Sequence, residues 1–209
     1  MFSNVLVLAP HADDAEFGCG GTIAKFLEAN RSVHCVVFSA NKRSIPPGFG
    51  EDALKQELMD SMQALGIPAD RQILLDYQVR DFPGKRQEIL DTLIQLKSSI
   101  NPDLVILPSL LDIHQDHQTI VQEGVRAFKD CTLLGYEEPW NNLRFDHTCF
   151  IKLEERHLAK KLAAIKCYRS QAFRYFNQQD FLTGLARVRG TQIKCQYAEL
   201  FQVIRLIIP

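Results

Sequence analysis

The sequence lacks a charge excess of either sign: 24 lysines and arginines face 25 acidic residues across 209 positions, a formal net charge of −1 at pH 7. That balance excludes the broad basic footprint that holds a nucleic acid backbone, so a charged ligand has to be met by local groups. Also missing is any run approaching the roughly twenty apolar residues of a membrane span. No basic and apolar leader precedes Val5–Leu8, which makes the expected setting cytoplasmic. No C-x-x-C pair occurs among Cys19, Cys35, Cys131, Cys149, Cys167 and Cys195, which read as reduced thiols. Cys19 is expected to be a small packing residue, although it lies near the polar cluster at His11–Asp14 and thiolates bind zinc. With no repeat, low-complexity tract or interdomain linker, residues 1–209 read as one domain with a substantial core. The composition is compatible with a homo-oligomer.

What is present is an alternation of strand-length apolar runs and helical stripes. Val5–Leu8, Val33–Phe38, Ile73–Leu75, Leu104–Leu107 and Thr132–Tyr136 are strand candidates, and near-continuous runs such as Val33–Phe38 suit strands buried on both faces. Gly21–Asn30, Glu51–Leu65, Lys85–Ile100 and Thr119–Lys129 are the predicted helices between them. Leu54, Leu58, Met62 and Leu65, and then Ile89, Leu93 and Leu96, mark core-facing stripes. A further helix is predicted at Glu154–Tyr168, with further β-structure at Cys149–Ile151 and Leu200–Ile208. The alternation predicts an α/β, Rossmann-like fold, a mostly parallel sheet flanked by helices. In such a sheet, polar residues directly after a strand lie where ligands bind.

Two clusters occupy such places: His11, Asp13 and Asp14 after the first strand, and His114, Asp116 and His117 after the fourth. One aspartate is easily explained as a helix cap. An imidazole and two acids together repel and lose solvation unless a cation or donor compensates. Gly18-Cys19-Gly20 begins the pattern G-x-G-x-x-G, but Ile23 stands at its last position and the acids before it would repel a pyrophosphate, against a dinucleotide loop. Two histidines and a carboxylate with an open fourth position suit a catalytic zinc, one per chain, which lowers the pKa of water to about 7. A remaining acid can then take the water's proton, and a remaining histidine can stabilise an oxyanion or protonate a leaving amine, the parts needed for amide hydrolysis. Spacing does not assign the individual roles. Of the other histidines, His34 is expected to be structural and His157 solvated on a charged helix, while His147 has no partner in sequence.

His11-Ala12-Asp13-Asp14 with Gly18-Cys19-Gly20-Gly21-Thr22, together with His114-Gln115-Asp116-His117, resembles the zinc-dependent PIG-L/LmbE-like de-N-acetylases. Asn101-Pro102-Asp103-Leu104-Val105, Glu57 with Leu65-Gly66, Lys166 through Ser170-Gln171, and Tyr197-Ala198-Glu199-Leu200-Phe201 extend the resemblance over most of the chain. Carried over by position, it implies that His11, Asp14 and His117 ligate zinc and that Asp13 is the general base. It further implies that His114 is the general acid or oxyanion stabiliser, and that Asp116 orients or tunes a neighbouring histidine. The implied substrate is an N-acetylhexosamine-containing small molecule, a sugar, glycoside or nucleotide sugar. The chain departs from the family pattern in Ala15, with Glu16 one place later, and in Leu54, where an arginine is frequent.

The loops Ser39–Gly50, Asp76–Gly84 and Glu137–Asn142 follow strands and are expected to set specificity. They carry Lys42, Arg43, Arg80 and Trp140, with Asp81 beside Arg80 as its alternative partner. An aromatic face near cations suits a sugar bearing a phosphate or carboxylate. Two other classes share these parts: a metal-dependent phosphoesterase, expected to hold two metals about 4 Å apart, and a non-catalytic sugar-binding protein.

Overall fold

The computed structural model describes residues 2–40, 43, 45–146 and 148–208. Strand β1 (Asn4–His11) is followed by α1 (Asp14–Glu28), β2 (Ser32–Ser39), α2 (Ala53–Leu65), β3 (Gln72–Leu74), α3 (Arg86–Ile100) and β4 (Leu104–Pro108). After these come α4 (Gln115–Ala127), β5 (Thr132–Tyr136), β6 (Cys149–Leu153), α5 (Glu155–Ile165), α6 (Gln179–Gln192) and β7 (Tyr197–Arg205). Seven strands form one sheet in the order β3-β2-β1-β4-β5-β7-β6. The neighbours from β3 to β5 pair in parallel, β7 runs antiparallel to β5, and β6 antiparallel to β7. The expected mostly parallel, Rossmann-like α/β sheet is therefore what the chain forms.

Side-chain alternation along the strands builds a core on each face. Val5, Val7 and Ala9 pack with Ile23, Leu58 and Met62, while Leu6 and Leu8 pack with Ile89, Leu93 and Ile120. A strand covered on both faces needs apolar residues at every position, which is why β1 reads as an unbroken run. Since β1 lies between β2 and β4, the order of the strands reverses there, and the crevice beyond the carboxyl ends of β1 and β4 is the switch point at which open α/β sheets bind ligands.

Several boundaries differ from expectation, each for a local reason. Helix α1 begins at Asp14 instead of Gly21, because its glycines serve close packing and not a loop. A Cβ on Gly18 would be driven into the Tyr136 ring, and one on Gly21 would lie 2.5 Å from Leu153 Cδ1. The helix is broken at Cys19 (φ −149°, ψ 21°). Into the break reaches the buried Glu199 carboxylate, accepting the Gly21 and Thr22 backbone N–H groups at 3.0 and 2.7 Å. Lys161 completes the arrangement, donating to Glu199 and to the Phe17 carbonyl. Cys19 is a fully buried core residue, and burial pushes its thiol pKa well up. Helix α4 starts at Gln115, four residues earlier than expected, since the His114 ring caps it by accepting the Asp116 N–H. The last strand runs Tyr197–Arg205, shifted from Leu200–Ile208. Helix α6 has no counterpart in the sequence reading: only Leu182, Ala186 and Gly190 of it are buried, too sparse a stripe to stand out. No helix among the described residues is long and apolar enough to cross a membrane.

Candidate metal centre

The carboxyl end of β1 delivers His11, and the chain then turns through Asp13 in the left-handed region (φ 84°) before α1 begins at Asp14. A non-glycine residue there is strained, and aspartate is among the side chains that tolerate it. The turn is tied down at both acids. Asp13 N–H donates to the Tyr168 hydroxyl at 3.1 Å, and Asp14 Oδ2 accepts the His11 N–H at 2.7 Å. From the end of β4, the irregular segment 109–113 leads to His114, and the first turn of α4 carries Asp116 and His117.

Three atoms from these two motifs converge. His11 Nδ1 lies 3.4 Å from Asp14 Oδ2, His117 Nε2 lies 3.3 Å from the same oxygen, and the two nitrogens are 3.2 Å apart. Ligands of a tetrahedral ion with bonds of about 2.0–2.1 Å are separated by about 3.3–3.4 Å, so the triangle has the dimensions of one face of a zinc coordination shell. The far side of each ring is held by a carboxylate: Asp116 Oδ2 meets His11 Nε2 and Asp112 Oδ2 meets His117 Nδ1, both at 2.8 Å. Such pairs fix the tautomer that turns the other nitrogen toward a metal. Further donors stand close by, His114 grouping with His11 and His117, and Glu138 with Asp14 and His117. Glu138 Oε1 is buried with no partner among the described residues, a further oxygen available to a cation. The donor set therefore fits a divalent ion of the zinc type.

The electrostatics follow from crowding. Burial and the Asp14 charge push Asp13 well above the usual carboxylate range. Burial has the same tendency at Asp14, but the His117 charge and the two imidazole contacts overcome it and hold Asp14 well below that range. At His117, burial opposes charge, yet Asp14 and Asp112 raise the ring well above its ordinary value. Burial and the neighbouring His117 and His11 lower His114 to about 4.

Around the cluster lies a cavity of about 200 Å³ whose walls include His11, Asp13, Asp14, His114, His117 and Glu138. Arg80 and Trp140 also line it, as do Leu54, Asn141, Gln171, Arg174 and Phe176. Asp116 sits behind His11, fully buried, and accepts the backbone N–H of Arg80 at 2.6 Å, which places Arg80 in the left-handed region (φ 73°). Trp140 stacks on Phe176, ring centroids 4.0 Å apart, and meets Phe17 edge-on, so it packs an aromatic cluster while bordering the cavity. Arg43 is exposed and is not among the lining residues, and Lys42 and His147 lie outside the described residues. His34 is half-buried against the Ser32 hydroxyl, a structural histidine as expected. His157 is not solvated: it is buried, with Nδ1 accepting the Glu154 N–H and Nε2 against Glu28, because it closes the capping box of α5.

Asp112, Glu138 and Arg174 were not singled out from sequence. Asp112 stands two residues before His114, and Glu138 follows β5 at the same sheet edge, so the strand-end rule that found the two clusters points to both. Arg174, in the irregular stretch after α5, carries no such signal.

The family described as PIG-L, GlcNAc-PI de-N-acetylase, matches residues 6–128. An uncharacterized deacetylase, YaiS, of Escherichia coli (strain K12) is 27% identical over 175 residues, covering 79% of this chain and 90% of that protein. N,N'-diacetylchitobiose deacetylase from Pyrococcus horikoshii, solved with its inhibitor MPG, superposes with a TM-score of 0.80 at 21% identity over 97% of this chain and 84% of that one. GalB, a 4-carboxy-2-hydroxymuconate hydratase from Pseudomonas putida KT2440, superposes with a TM-score of 0.79 at 21% identity over 99% and 98%. Since a deacetylase and a hydratase share the fold, the fold alone does not decide the reaction.

Proposed function

The chain belongs to the PIG-L, GlcNAc-PI de-N-acetylase family, and from that membership we propose that it is a zinc-dependent N-deacetylase, with one zinc per chain, acting on an N-acetylhexosamine-containing small molecule. The observation that carries this reading is the triangle of His11 Nδ1, Asp14 Oδ2 and His117 Nε2, with sides of 3.2–3.4 Å, opening on a cavity that also holds Asp13 and His114. The three residues would hold the ion, and a cation there would supply Lewis acidity that acidifies water and polarises an acyl carbonyl.

The chain's own groups do the rest. Asp13 takes the proton of the attacking water. Burial and the neighbouring Asp14 charge raise the affinity of Asp13 for a proton, the property asked of a base. His114 accepts the Asp116 N–H on Nδ1, so the neutral ring carries its proton on Nε2 and donates a hydrogen bond to the developing oxyanion. The C–N bond of the amide breaks, the proton held by Asp13 passes to the departing amine nitrogen, and acetate and a free amino sugar result. Asp116 and Asp112 keep the two metal-facing imidazoles in place.

The test combines metal analysis with acetate release from N-acetylglucosamine, its glycosides, its phosphates and its UDP-linked form. One zinc per chain, with acetate release lost on chelation and regained with zinc, is the expected result. His11→Ala, Asp14→Ala and His117→Ala lose the metal, and full zinc retention by all three refutes the ligand assignment. Two metals with phosphoester turnover would establish a phosphoesterase, and unchanged ligand after long incubation with zinc-loaded protein a sugar-binding protein.

A further inference from the structure

Besides its histidines, the cavity offers two cations, Arg80 and Arg174, while Leu54 contributes an apolar wall. Arg174 is half-buried and held in place: Nε donates to Gln171 Oε1 at 2.7 Å, and its guanidinium carbon lies 5.4 Å from the Phe176 ring centroid. Among the described residues no carboxylate forms an ion pair with Arg174 or with Arg80, although the Arg174 charge reaches Asp13 and opposes the rise in its pKa. The other charged groups on the walls are the carboxylates Asp13, Asp14 and Glu138, clustered with the imidazoles. A ligand with an acyl group at the metal-binding cluster and an anion elsewhere is thus favoured with its anion toward the arginines, because the carboxylates repel the anion and the arginines attract it.

We infer that Arg174 is the specificity-determining residue of this cavity, seconded by Arg80, and that it receives a phosphate or carboxylate substituent on the substrate. The planar fork of a guanidinium takes either anion through two parallel hydrogen bonds, and fixing that fork beforehand on Gln171 and Phe176 reduces the entropy lost on binding. The inference rests on the deacetylase reading for turnover, but binding tests it independently.

The experiment compares three probes, N-acetylglucosamine 6-phosphate, N-acetylmuramic acid and the neutral methyl glycoside of N-acetylglucosamine, by acetate release and by isothermal titration of zinc-loaded protein. The phosphate and carboxylate arms identify which anion is preferred. Arg174→Gln is expected to weaken binding of the preferred anion by about 10- to 100-fold in Kd, and to change the Kd of the neutral glycoside far less. Arg174→Lys restores only part of the loss, because an ammonium lacks the fork, and Arg80→Gln gives a smaller loss. Anion binding that depends on Arg174 without acetate release would sustain the inference and refute the deacetylase reading. Acetate release with equal kcat/KM for neutral and anionic probes, unmoved by Arg174→Gln, would overturn the inference and leave the deacetylase reading in place. Should Arg174→Gln shift the thermal melting point, Arg174→Lys and Arg80→Gln in the folded protein decide by the same comparison of anionic and neutral probes.

Discussion

His11 presents Nε2 to the Asp116 carboxylate at 2.8 Å, and that contact settles which of its ring nitrogens faces the cavity. Asp116 also accepts the Arg80 backbone N–H, so one buried carboxylate joins the end of β1, the first turn of α4 and the loop that carries Arg80. Asp116→Asn keeps the volume and removes the charge. It is expected to weaken zinc binding by about 10- to 100-fold, as loss of such an outer carboxylate does. Competition against a chelating dye measures this, and unchanged affinity would mean that the ring is held by other contacts.

Asp13 occupies the same cavity as Asp14 but is not one corner of the ligand triangle, and it sits on strained backbone. Asp13→Asn is expected to retain stoichiometric zinc and lower kcat by about 10²–10⁴, with KM little changed. Near-normal turnover in this variant would assign water activation to another group.

The two acids divide in a way that sequence spacing leaves open. Strand β1 was legible because both its faces are covered, and the polar residues after β1 and β4 stood out because a buried strand ends abruptly in charge. The start of α1 was not legible: Gly18 and Gly21 look like loop residues until the Tyr136 ring and the Leu153 side chain, far along the chain, are known to press on them. Arg174 likewise acquires meaning only when the segment after α5 folds over the cavity, with Ser170 donating to Glu57 of α2 through both its N–H and its hydroxyl. What single positions cannot signal is contact across the chain, and helix α6, with few buried residues of its own, was missed for the same reason.

His114 supplies a pH signature. Burial and the neighbouring His117 and His11 lower its pKa to about 4, so in the metal-free protein it is neutral at every pH well above that value. Between about 4 and the unperturbed histidine value of about 6.5, the unfolded chain binds more protons at this position than the folded one, so the contribution of His114 to stability rises with pH across that window. Below the window, its full penalty is present. Histidine NMR of the apo protein should show this ring titrating near 4, and His114→Ala should lower kcat without removing a rate-limiting ionisation near 6.5. A His114 midpoint at 6.5 or above would restore it as a charged general acid.

The last prediction concerns the break in α1. Glu199 and Lys161 are each 5% exposed, 2.7 Å apart, and together they satisfy the Gly21 and Thr22 N–H groups and the Phe17 carbonyl that the interrupted helix leaves open. Removing one member strands the other charge in the core, so Glu199→Leu and Lys161→Met are each expected to cost about 3–5 kcal/mol in denaturant unfolding. The double variant removes both charges at once and should lose clearly less than the sum, because the residue left behind no longer pays for an unpaired charge. Additive losses would show that the two side chains act separately, Glu199 only as a cap on the second segment of α1 and Lys161 only as a donor to Phe17.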